Sequence, residues 1–355
     1  MKKLLLLAVF AACASCTSSD KHTATNKAAN DTILAFLQKR HVPGMAVAIS
    51  VDGQLVFSKG YGLADVEQQV PVDPEKSAFR IGSIAKLLTA IGLGQLMEQN
   101  KIQIDSSIYY YLPDFPRKKW RPTLRQIAGH QGGIRHYKGN EMQSNVHYQT
   151  VTEGLSIFKD DSLEYKPGTQ YSYSSYGFNL LSAAIEKSAG TDFLTFMNQE
   201  VIRKIGLTHT FADVNDSIIP YRTRFYVVEQ QQVKNAPSVD NSYKWAGGGF
   251  VSSANDLIKV GHALLNHSML SENTLKILTT AQPLPEGEVS HYGMGFSVGK
   301  DDKGNDFFGH SGGSVGGTSN FVIYPRQKIV VVVLTNRSGA NLGEIAEHLA
   351  QLYMK

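Results

Sequence analysis

The sequence predicts a mixed α/β fold of the α+β kind: one antiparallel sheet formed by N- and C-terminal segments and flanked by helices, with an inserted mainly helical lobe. Strand-like runs lie near both ends of the chain, and helical or irregular patterns fill the long section between them. The dipeptide Asp52-Gly53 separates two strand-like runs as a tight hairpin turn would. Because the strands come from opposite ends of the sequence, those ends must pair to complete one sheet.

The N-terminal part begins with a helix and continues as the hairpin. Apolar residues recur at helical spacing over 31–40, and Pro43-Gly44 ends that pattern. Residues 45–51 and 54–58 form the two strands of the hairpin. A further helix follows Gly82-Ser83, with apolar positions at Leu87, Leu88, Ile91, Leu93, Leu96 and Met97.

The middle and the C-terminal part supply the lobe and the remaining strands. From about 105 to 275 the pattern is mostly helical or irregular, with helices predicted over 180–187 and 193–205. Strands are predicted over 307–308, 320–324 and 329–335, followed by a closing helix over 342–354.

The first sixteen residues have the form of a bacterial lipoprotein signal. A short basic start precedes an apolar run over 4–12 that is too short to span a bilayer, and Cys16 follows two small residues. We expect 1–16 to be the signal peptide with Cys16 as the lipidated residue and Cys13 as the alternative. We expect 17–28 to be a flexible tether and 29–355 to be the folded domain. The protein would then be exported and anchored in a membrane, facing the periplasm or cell surface.

Composition excludes several kinds of chemistry. Both cysteines precede the domain, so the domain has no disulfide and no catalytic or metal-binding thiol. The formal net charge of +4 is too small to indicate a nucleic-acid partner. The histidines are scattered, without the His-Glu-x-x-His pattern of a helical zinc site, so we expect neither metal nor cofactor.

The strongest chemical signal is Ser83-Ile84-Ala85-Lys86. Ser-x-x-Lys alone is weak, because the chain contains it also at Ser18, Ser156 and Ser297, the last in a predicted loop. Only Ser83 opens a strongly periodic helix, where residues three apart share a face and free N–H groups favour negative charge. Lys86 could accept a proton from Ser83 only as a neutral amine. For Lys86 to be neutral at pH 7, its pKa would have to be lowered by roughly three units, about 4 kcal/mol, which burial can supply.

Two further elements complete a pattern. They are residues 167–178, which include Tyr173-Ser174-Ser175, and Gly309-His310-Ser311-Gly312-Gly313. In this order the three elements resemble the serine β-lactamase/penicillin-binding protein family, in particular its class C-like, peptidase/esterase branch. The resemblance runs from about 42 to 334, with secondary landmarks at 123–127, 132–134, 206–210 and 246–254. Segments 134–137 and 173–177 are most similar to the mitochondrial serine β-lactamase-like members.

The resemblance implies a catalytic role for each matched residue. Ser83 would attack the substrate carbonyl and become the acyl-enzyme, while Lys86 and Tyr173 share the proton transfers. Which of these two lacks its proton stays open, because their titrations are coupled. The backbone N–H groups of Ser83 and Gly313 would form the oxyanion hole. No position matches a separate deacylating glutamate, so Tyr173 would be the base for deacylation.

Substrate-binding residues are also implied. His310, in place of the family's strand lysine, would line the substrate edge with Ser311 and Gly312, and its charge would vary near neutral pH. Ser175 replaces the asparagine of Tyr-x-Asn, which contacts both the lysine and the substrate amide. Serine is too short for both contacts, which counts against efficient β-lactam hydrolysis.

The resulting hypothesis is a serine hydrolase, a peptidase/esterase or DD-carboxypeptidase-like enzyme for D-amino-acid peptides or related amides and esters. The alternatives are a β-lactamase, or a non-catalytic, filament-forming scaffold with the same fold; the oligomeric state stays open. Gly309 to Gly313 also matches the Gly-x-Ser-x-Gly elbow of α/β-hydrolases. A strand pattern follows it instead of the required helix, which disfavours that class.

Overall fold

The computed structural model describes residues 22–354. The α-helices are α1 Thr23–Arg40, α2 Ile84–Glu98, α3 Ile108–Tyr111, α4 Leu124–Ala128, α5 Val151–Gly154, α6 Ser175–Ala189, α7 Phe193–Phe196, α8 Arg203–Ile205, α9 Trp245–Gly248, α10 Ala254–Leu265, α11 Glu272–Thr279 and α12 Gly343–Tyr353. The strands are β1 Gly44–Val51, β2 Gln54–Asp65, β3 Val70–Pro71, β4 Phe79–Arg80, β5 Phe211–Ala212, β6 Tyr226–Glu229, β7 Gln232–Asn235, β8 Phe250–Ser252, β9 Ser297–Lys300, β10 Asp306–Ser314, β11 Gly317–Tyr324 and β12 Ile329–Thr335.

The main sheet is antiparallel and is built from both ends of the chain. Its seven strands lie in the order β3-β2-β1-β12-β11-β10-β9, so β1 from the N-terminal part pairs with β12 from the C-terminal part. The predicted fold class is confirmed. The hairpin between β1 and β2 turns at Asp52 and Gly53, whose φ angles of 50° and 77° lie in the left-handed region that a tight hairpin turn requires.

Strand β12 is buried over its whole length, because helices cover both faces of the sheet. Its side chains alternate between two cores, as the two-residue period of a strand demands. Val331 and Val333 pack with α1 and α12 on one face. Val330 and Val332 pack on the other face, in the core that includes α2, α6 and α10 of the helical part.

Helix α1 corrects one predicted boundary. It begins at Thr23, so residues 23–28, which were predicted as part of the flexible tether, are helical. Tertiary contacts hold this first turn: the Asn26 side-chain amide donates to the Val56 carbonyl over 3.0 Å, and the Tyr353 hydroxyl donates to Asn26 Oδ1 over 2.6 Å. The predicted signal and both cysteines lie outside the described residues, and residues 22–354 contain no helix long and apolar enough to cross a membrane.

The middle section is mainly helical, as predicted, with two local differences. The predicted helix over 193–205 is continuous but contains a π-helical stretch, Met197–Ile202, between α7 and α8. Ser297, assigned to a loop from its surrounding glycines, is the first residue of the edge strand β9. Neither difference moves the start of α2, which lies where the sheet meets the helical part.

Candidate active site

Ser83 lies at the N-terminus of a helix that is buried along most of its length. It is the N-cap residue of α2, and every residue from Ile84 to Leu96 is buried. Its side chain makes no capping hydrogen bond to this helix. The Ser83 hydroxyl is therefore free of the structural task that serine usually has at a helix start, and it contacts two other side chains instead.

Lys86 lies one turn further along α2 and is fully buried. Its Nζ is 3.1 Å from Ser83 Oγ and 3.2 Å from Ser175 Oγ, and it donates to the Gly247 carbonyl over 2.6 Å. Burial, and secondly the positive charge of Lys244, hold the pKa of Lys86 well below its ordinary value. A lysine in this setting favours the neutral amine, which can accept a proton.

Tyr173 is the second side chain in contact with the Ser83 hydroxyl. Its hydroxyl donates to Ser83 Oγ over 2.7 Å. Burial raises the pKa of Tyr173 far above its ordinary value, so the side chain is a phenol at neutral pH. The flanking residues are fixed: the Ser172 N–H donates to the His130 carbonyl over 2.9 Å, and the Ser174 N–H donates to His130 Nδ1 over 3.2 Å.

The backbone N–H groups of Ser83 and Gly313 belong to residues that line the same pocket. Gly82 is packed so closely on β10 that a Cβ atom there would lie 2.8 Å from the Gly313 nitrogen. The Ser319 hydroxyl donates to the Ile81 carbonyl over 2.7 Å and fixes this approach of chain and strand. Within residues 22–354, the Ser83 N–H donates to no backbone carbonyl. The Ser83 N–H is therefore free to donate, and the Gly313 nitrogen lies close to the preceding residue, Gly82.

The end of β10 borders the pocket with an unpaired edge. Strand β9 pairs with β10 only as far as Gly309, so from His310 to Ser314 the described structure has no strand neighbour on that side. Ser311 and Gly313 are exposed there. A bare strand edge offers backbone donors and acceptors to an extended peptide.

His310 corrects a sequence-based expectation. It is buried, and both ring nitrogens are hydrogen-bonded within the protein: Nδ1 to the Ser311 carbonyl at 2.6 Å and Nε2 to the Tyr292 hydroxyl at 2.8 Å. A carbonyl only accepts, so Nδ1 carries the proton and Nε2 accepts from Tyr292. Burial, and then the charge of Lys86, lower the pKa of His310 to about 3. The predicted change of charge near neutral pH is therefore wrong, because the ring is desolvated and stays neutral.

Ser175, the first residue of α6, retains one of the two contacts expected of the longer asparagine. Its hydroxyl oxygen lies 3.2 Å from Lys86 Nζ, and only 3% of the residue is exposed. The Ser175 backbone N–H donates to His136 Nδ1 over 3.1 Å. The replacement therefore keeps the lysine in place but leaves the Ser175 hydroxyl occupied inside the protein.

Two pocket residues were missed in the sequence. His136 and Lys244 line the same small pocket as Ser83, Tyr173 and Gly313. Lys244 is buried, donates to the Met142 carbonyl over 3.2 Å and lies 5.0 Å from the centre of the Tyr243 ring. In the sequence, both residues are marked only by their position relative to segments that resemble the family. Lys244 comes two residues before the segment 246–254, and His136 belongs to the segment 134–137.

The arrangement around Ser83 activates a hydroxyl for attack on a carbonyl carbon. Lys86 can take the hydroxyl proton, Tyr173 can donate one, and two N–H groups can stabilise the oxyanion. Fold and site together define the chain as a serine hydrolase.

Comparisons with known proteins give the family. Residues 29–353 match the family described as Beta-lactamase. The human mitochondrial serine beta-lactamase-like protein LACTB is 30% identical over 418 residues, covering 87% of this chain and 76% of that protein. The octameric penicillin-binding protein homologue from Pyrococcus abyssi superposes with a TM-score of 0.79 at 26% identity, over 93% of this chain and 77% of that one. The chain therefore belongs to the beta-lactamase family, as its motifs predict.

A further solved structure shows how widely the fold is shared. The D-stereospecific amidohydrolase from Streptomyces has a TM-score of 0.76 at 22% identity, covering 93% of this chain and 98% of that one. This likeness concerns the fold alone, so the substrate of the present chain has to be argued from its own pocket.

Proposed function

We propose that this serine hydrolase works through an acyl-enzyme on Ser83 and is a peptidase/esterase or DD-carboxypeptidase-like enzyme. Its substrates would be D-amino-acid peptides or related amides and esters. The observation that carries the proposal is the pair of contacts at Ser83 Oγ, 2.7 Å from the Tyr173 hydroxyl and 3.1 Å from Lys86 Nζ. A serine held between a phenol donor and a neutral amine is prepared for nucleophilic attack.

The proton transfers follow from these contacts. As Ser83 Oγ bonds to the substrate carbonyl carbon, its proton passes to Lys86, and the carbonyl oxygen becomes an oxyanion facing the N–H groups of Ser83 and Gly313. When the oxyanion collapses, the bond to the leaving amine or alkoxide breaks, and that group takes the phenolic proton of Tyr173, which Lys86 restores. Water then cleaves the Ser83 ester, releasing the acid and the free enzyme.

Deacylation needs a base for that water. The sequence suggested Tyr173, but the raised pKa keeps this residue a phenol in the free enzyme. Lys86, whose pKa is lowered, is the better base for both half-reactions. The role that we propose for Tyr173 is the donor to the leaving group.

Lys244 supports substrates that end in a carboxylate. His310, which replaces the family's strand lysine, is neutral and buried, so it provides no cation for a terminal carboxylate. Lys244 lines the pocket beside Ser83, and its pKa is lowered to about 7, first by burial and then by Arg80. It carries a positive charge on a large fraction of molecules near neutral pH, which favours a carboxypeptidase-like substrate.

Covalent labelling tests the proposal. Residues 22–355 are incubated separately with a fluorophosphonate and with a penicillin, and adducts are located by intact mass and peptide mapping, with Ser83→Ala as the control. We expect one adduct per chain on Ser83, absent from Ser83→Ala. A persistent penicillin adduct supports a cell-wall peptidase, and one that turns over supports a β-lactamase. A folded protein that reacts with neither reagent favours the scaffold alternative.

We also propose that the full-length protein is exported and anchored by a lipid on Cys16. The support is the sequence of residues 1–16, which lie outside the described structure. The full chain is expressed in a bacterium fed an alkyne fatty acid, and the label and the membrane fraction are followed. Cys16→Ser is expected to lose both, and Cys13→Ser, the matched control, to keep both. The reverse result would move the lipid to Cys13, and an unlabelled wild type would exclude the anchor.

A further inference from the structure

The ring of His136 is a polar group of the pocket that the proposed mechanism does not use. His136 is exposed, and its ring lies in the pocket beside Ser83 and Tyr173. The ring centroid is 4.4 Å from that of Tyr137 and 5.6 Å from that of Tyr173, the latter edge-on, so aromatic neighbours fix its position on two sides.

The hydrogen bond from Ser175 determines which ring nitrogen of His136 carries the proton. The Ser175 backbone N–H donates to Nδ1 over 3.1 Å, so Nδ1 uses its lone pair as an acceptor. In the neutral ring the proton must then lie on Nε2. Within residues 22–354, no side chain or carbonyl accepts a hydrogen bond from this Nε2–H, which leaves it available to a bound molecule.

Partial burial of the ring in the pocket keeps it neutral. This desolvation is the largest cause that lowers the pKa of His136, to about 4; the charge of Lys86 lowers it further, and the charge of Glu141 opposes the shift. The ring is therefore a neutral donor at physiological pH. It is a poor candidate for a general base, because Nδ1 is occupied and Nε2 already holds the proton.

The position of His136 compensates for the short side chain at 175. An asparagine there would contact both the lysine and a substrate amide, but Ser175 is buried and its hydroxyl is 3.2 Å from Lys86 Nζ. The backbone of this same residue orients His136, because its N–H donates to Nδ1 and leaves Nε2–H unused beside the pocket that His136 lines. Across the pocket, the unpaired edge of β10 offers backbone groups to an extended chain.

We propose that His136 Nε2–H donates a hydrogen bond to an amide carbonyl on the acyl side of the substrate. His136 is then a specificity-determining residue, and the enzyme favours acylated amino acids and peptides over plain esters. This inference rests on the proposed function and names the substrate class within it.

A matched pair of thioesters tests the inference. Benzoylglycyl thioglycolate carries the amide, and 4-phenylbutanoyl thioglycolate has the same length and leaving group with two methylenes in place of the amide. The measured quantity is the ratio of kcat/KM for the first thioester to that for the second. A substitution that merely shifts the position of Ser83 lowers kcat/KM for both thioesters, and this loss cancels in the ratio. Loss of the amide contact lowers kcat/KM only for the thioester that carries the amide.

Three variants are compared with the wild type. His136→Phe keeps an aromatic ring without a donor, and we expect the ratio to fall about fivefold to tenfold, as for one neutral hydrogen bond. His136→Gln restores an N–H donor and should recover most of the ratio. His348→Phe alters an exposed histidine of α12, remote from the pocket, and should leave the ratio at its wild-type value.

Two outcomes would contradict the inference in different ways. An unchanged ratio in His136→Phe, with both thioesters still hydrolysed, overturns the role of His136 and leaves the proposed function standing. A wild type that hydrolyses neither thioester, and is not labelled on Ser83, overturns the proposed function and this inference together.

Discussion

Two buried lysines lie in one pocket and differ in what surrounds them. Lys86 is 0% exposed and has two hydroxyl groups and one carbonyl around its Nζ. Lys244 is 3% exposed, and within residues 22–354 its Nζ donates one hydrogen bond, to the Met142 carbonyl. Burial lowers the pKa of both, but Asp213 and Asp240 partly offset that effect at Lys244. Burial therefore favours the neutral amine at both lysines, and nearby carboxylates determine how much of the positive charge remains.

The difference assigns two kinds of work to the same residue type. Lys86 lies within hydrogen-bond distance of the nucleophile and has no carboxylate acting on its pKa, so it suits proton transfer. Lys244 borders the pocket and keeps part of its charge near pH 7, so it suits the binding of an anionic group. Substitutions that retain charge at one lysine and remove it at the other separate these tasks.

The largest effect is expected at Lys86. Lys86→Arg keeps a positive charge but cannot become a neutral amine, and Lys86→Met has no basic nitrogen; we expect both to lower acylation of Ser83 by about 10³-fold. The measurement is the second-order rate of fluorophosphonate labelling at Ser83. Lys244→Arg, the matched substitution, should retain most of the labelling rate. Wild-type labelling of Lys86→Arg would exclude Lys86 as the base.

The nucleophile with its two partner residues and the main sheet are the features that the sequence predicts. Ser83 and Lys86 could be predicted because helix periodicity and a three-residue spacing are local properties of the sequence, and Tyr173 could be predicted because the motif order resembles that of the family. The sheet could be predicted because strand-like runs lie near both ends of the sequence, with helical patterns between them, so that the two ends must pair.

The residues that could not be predicted are placed by contacts between distant segments. His136 lies in an irregular segment and is oriented by the backbone of Ser175. The neutral state of His310 depends on burial under Tyr292, which precedes β9. The first turn of α1 has no apolar periodicity and is held by Val56 and Tyr353. No local pattern could reveal partners of this kind.

A smaller effect is expected at Tyr173, which shares the nucleophile with Lys86. Tyr173→Phe removes the hydroxyl that donates to Ser83 Oγ, while the ring and its packing remain. We expect kcat for an amide substrate to fall about 10²-fold, since an amine leaving group needs the donated proton. A thioester, whose leaving group needs no proton, should lose less. Tyr171→Phe is the control, and equal losses for amide and thioester would contradict a donor role.

Lys244 should affect substrate choice more than chemistry. Lys244→Met removes the pocket cation, and we expect kcat/KM for a peptide with a free terminal carboxylate to fall about tenfold relative to the same peptide with an amidated terminus. Lys244→Arg should keep the preference because the charge remains. Equal losses for the two peptides would show that Lys244 supports the pocket without recognising the carboxylate.

The smallest effect is a shift in pH dependence, and it couples the two lysines. The base must be neutral, so kcat/KM falls as pH falls through the pKa of Lys86. Lys244 is the second cause of that lowered pKa, after burial. In Lys244→Met the repulsion is gone, protonation of Lys86 becomes easier, and the acidic limb should move to higher pH by a few tenths of a unit to about one unit.

Lys244→Arg stays charged where Lys244 itself loses its proton, at about pH 7, so its limb should stay at or below the wild-type position. Lys101→Met, at an exposed position, controls for net charge. A limb that stays in place in Lys244→Met would mean that burial alone sets the basicity of Lys86, and that the two lysines share a pocket without sharing a titration.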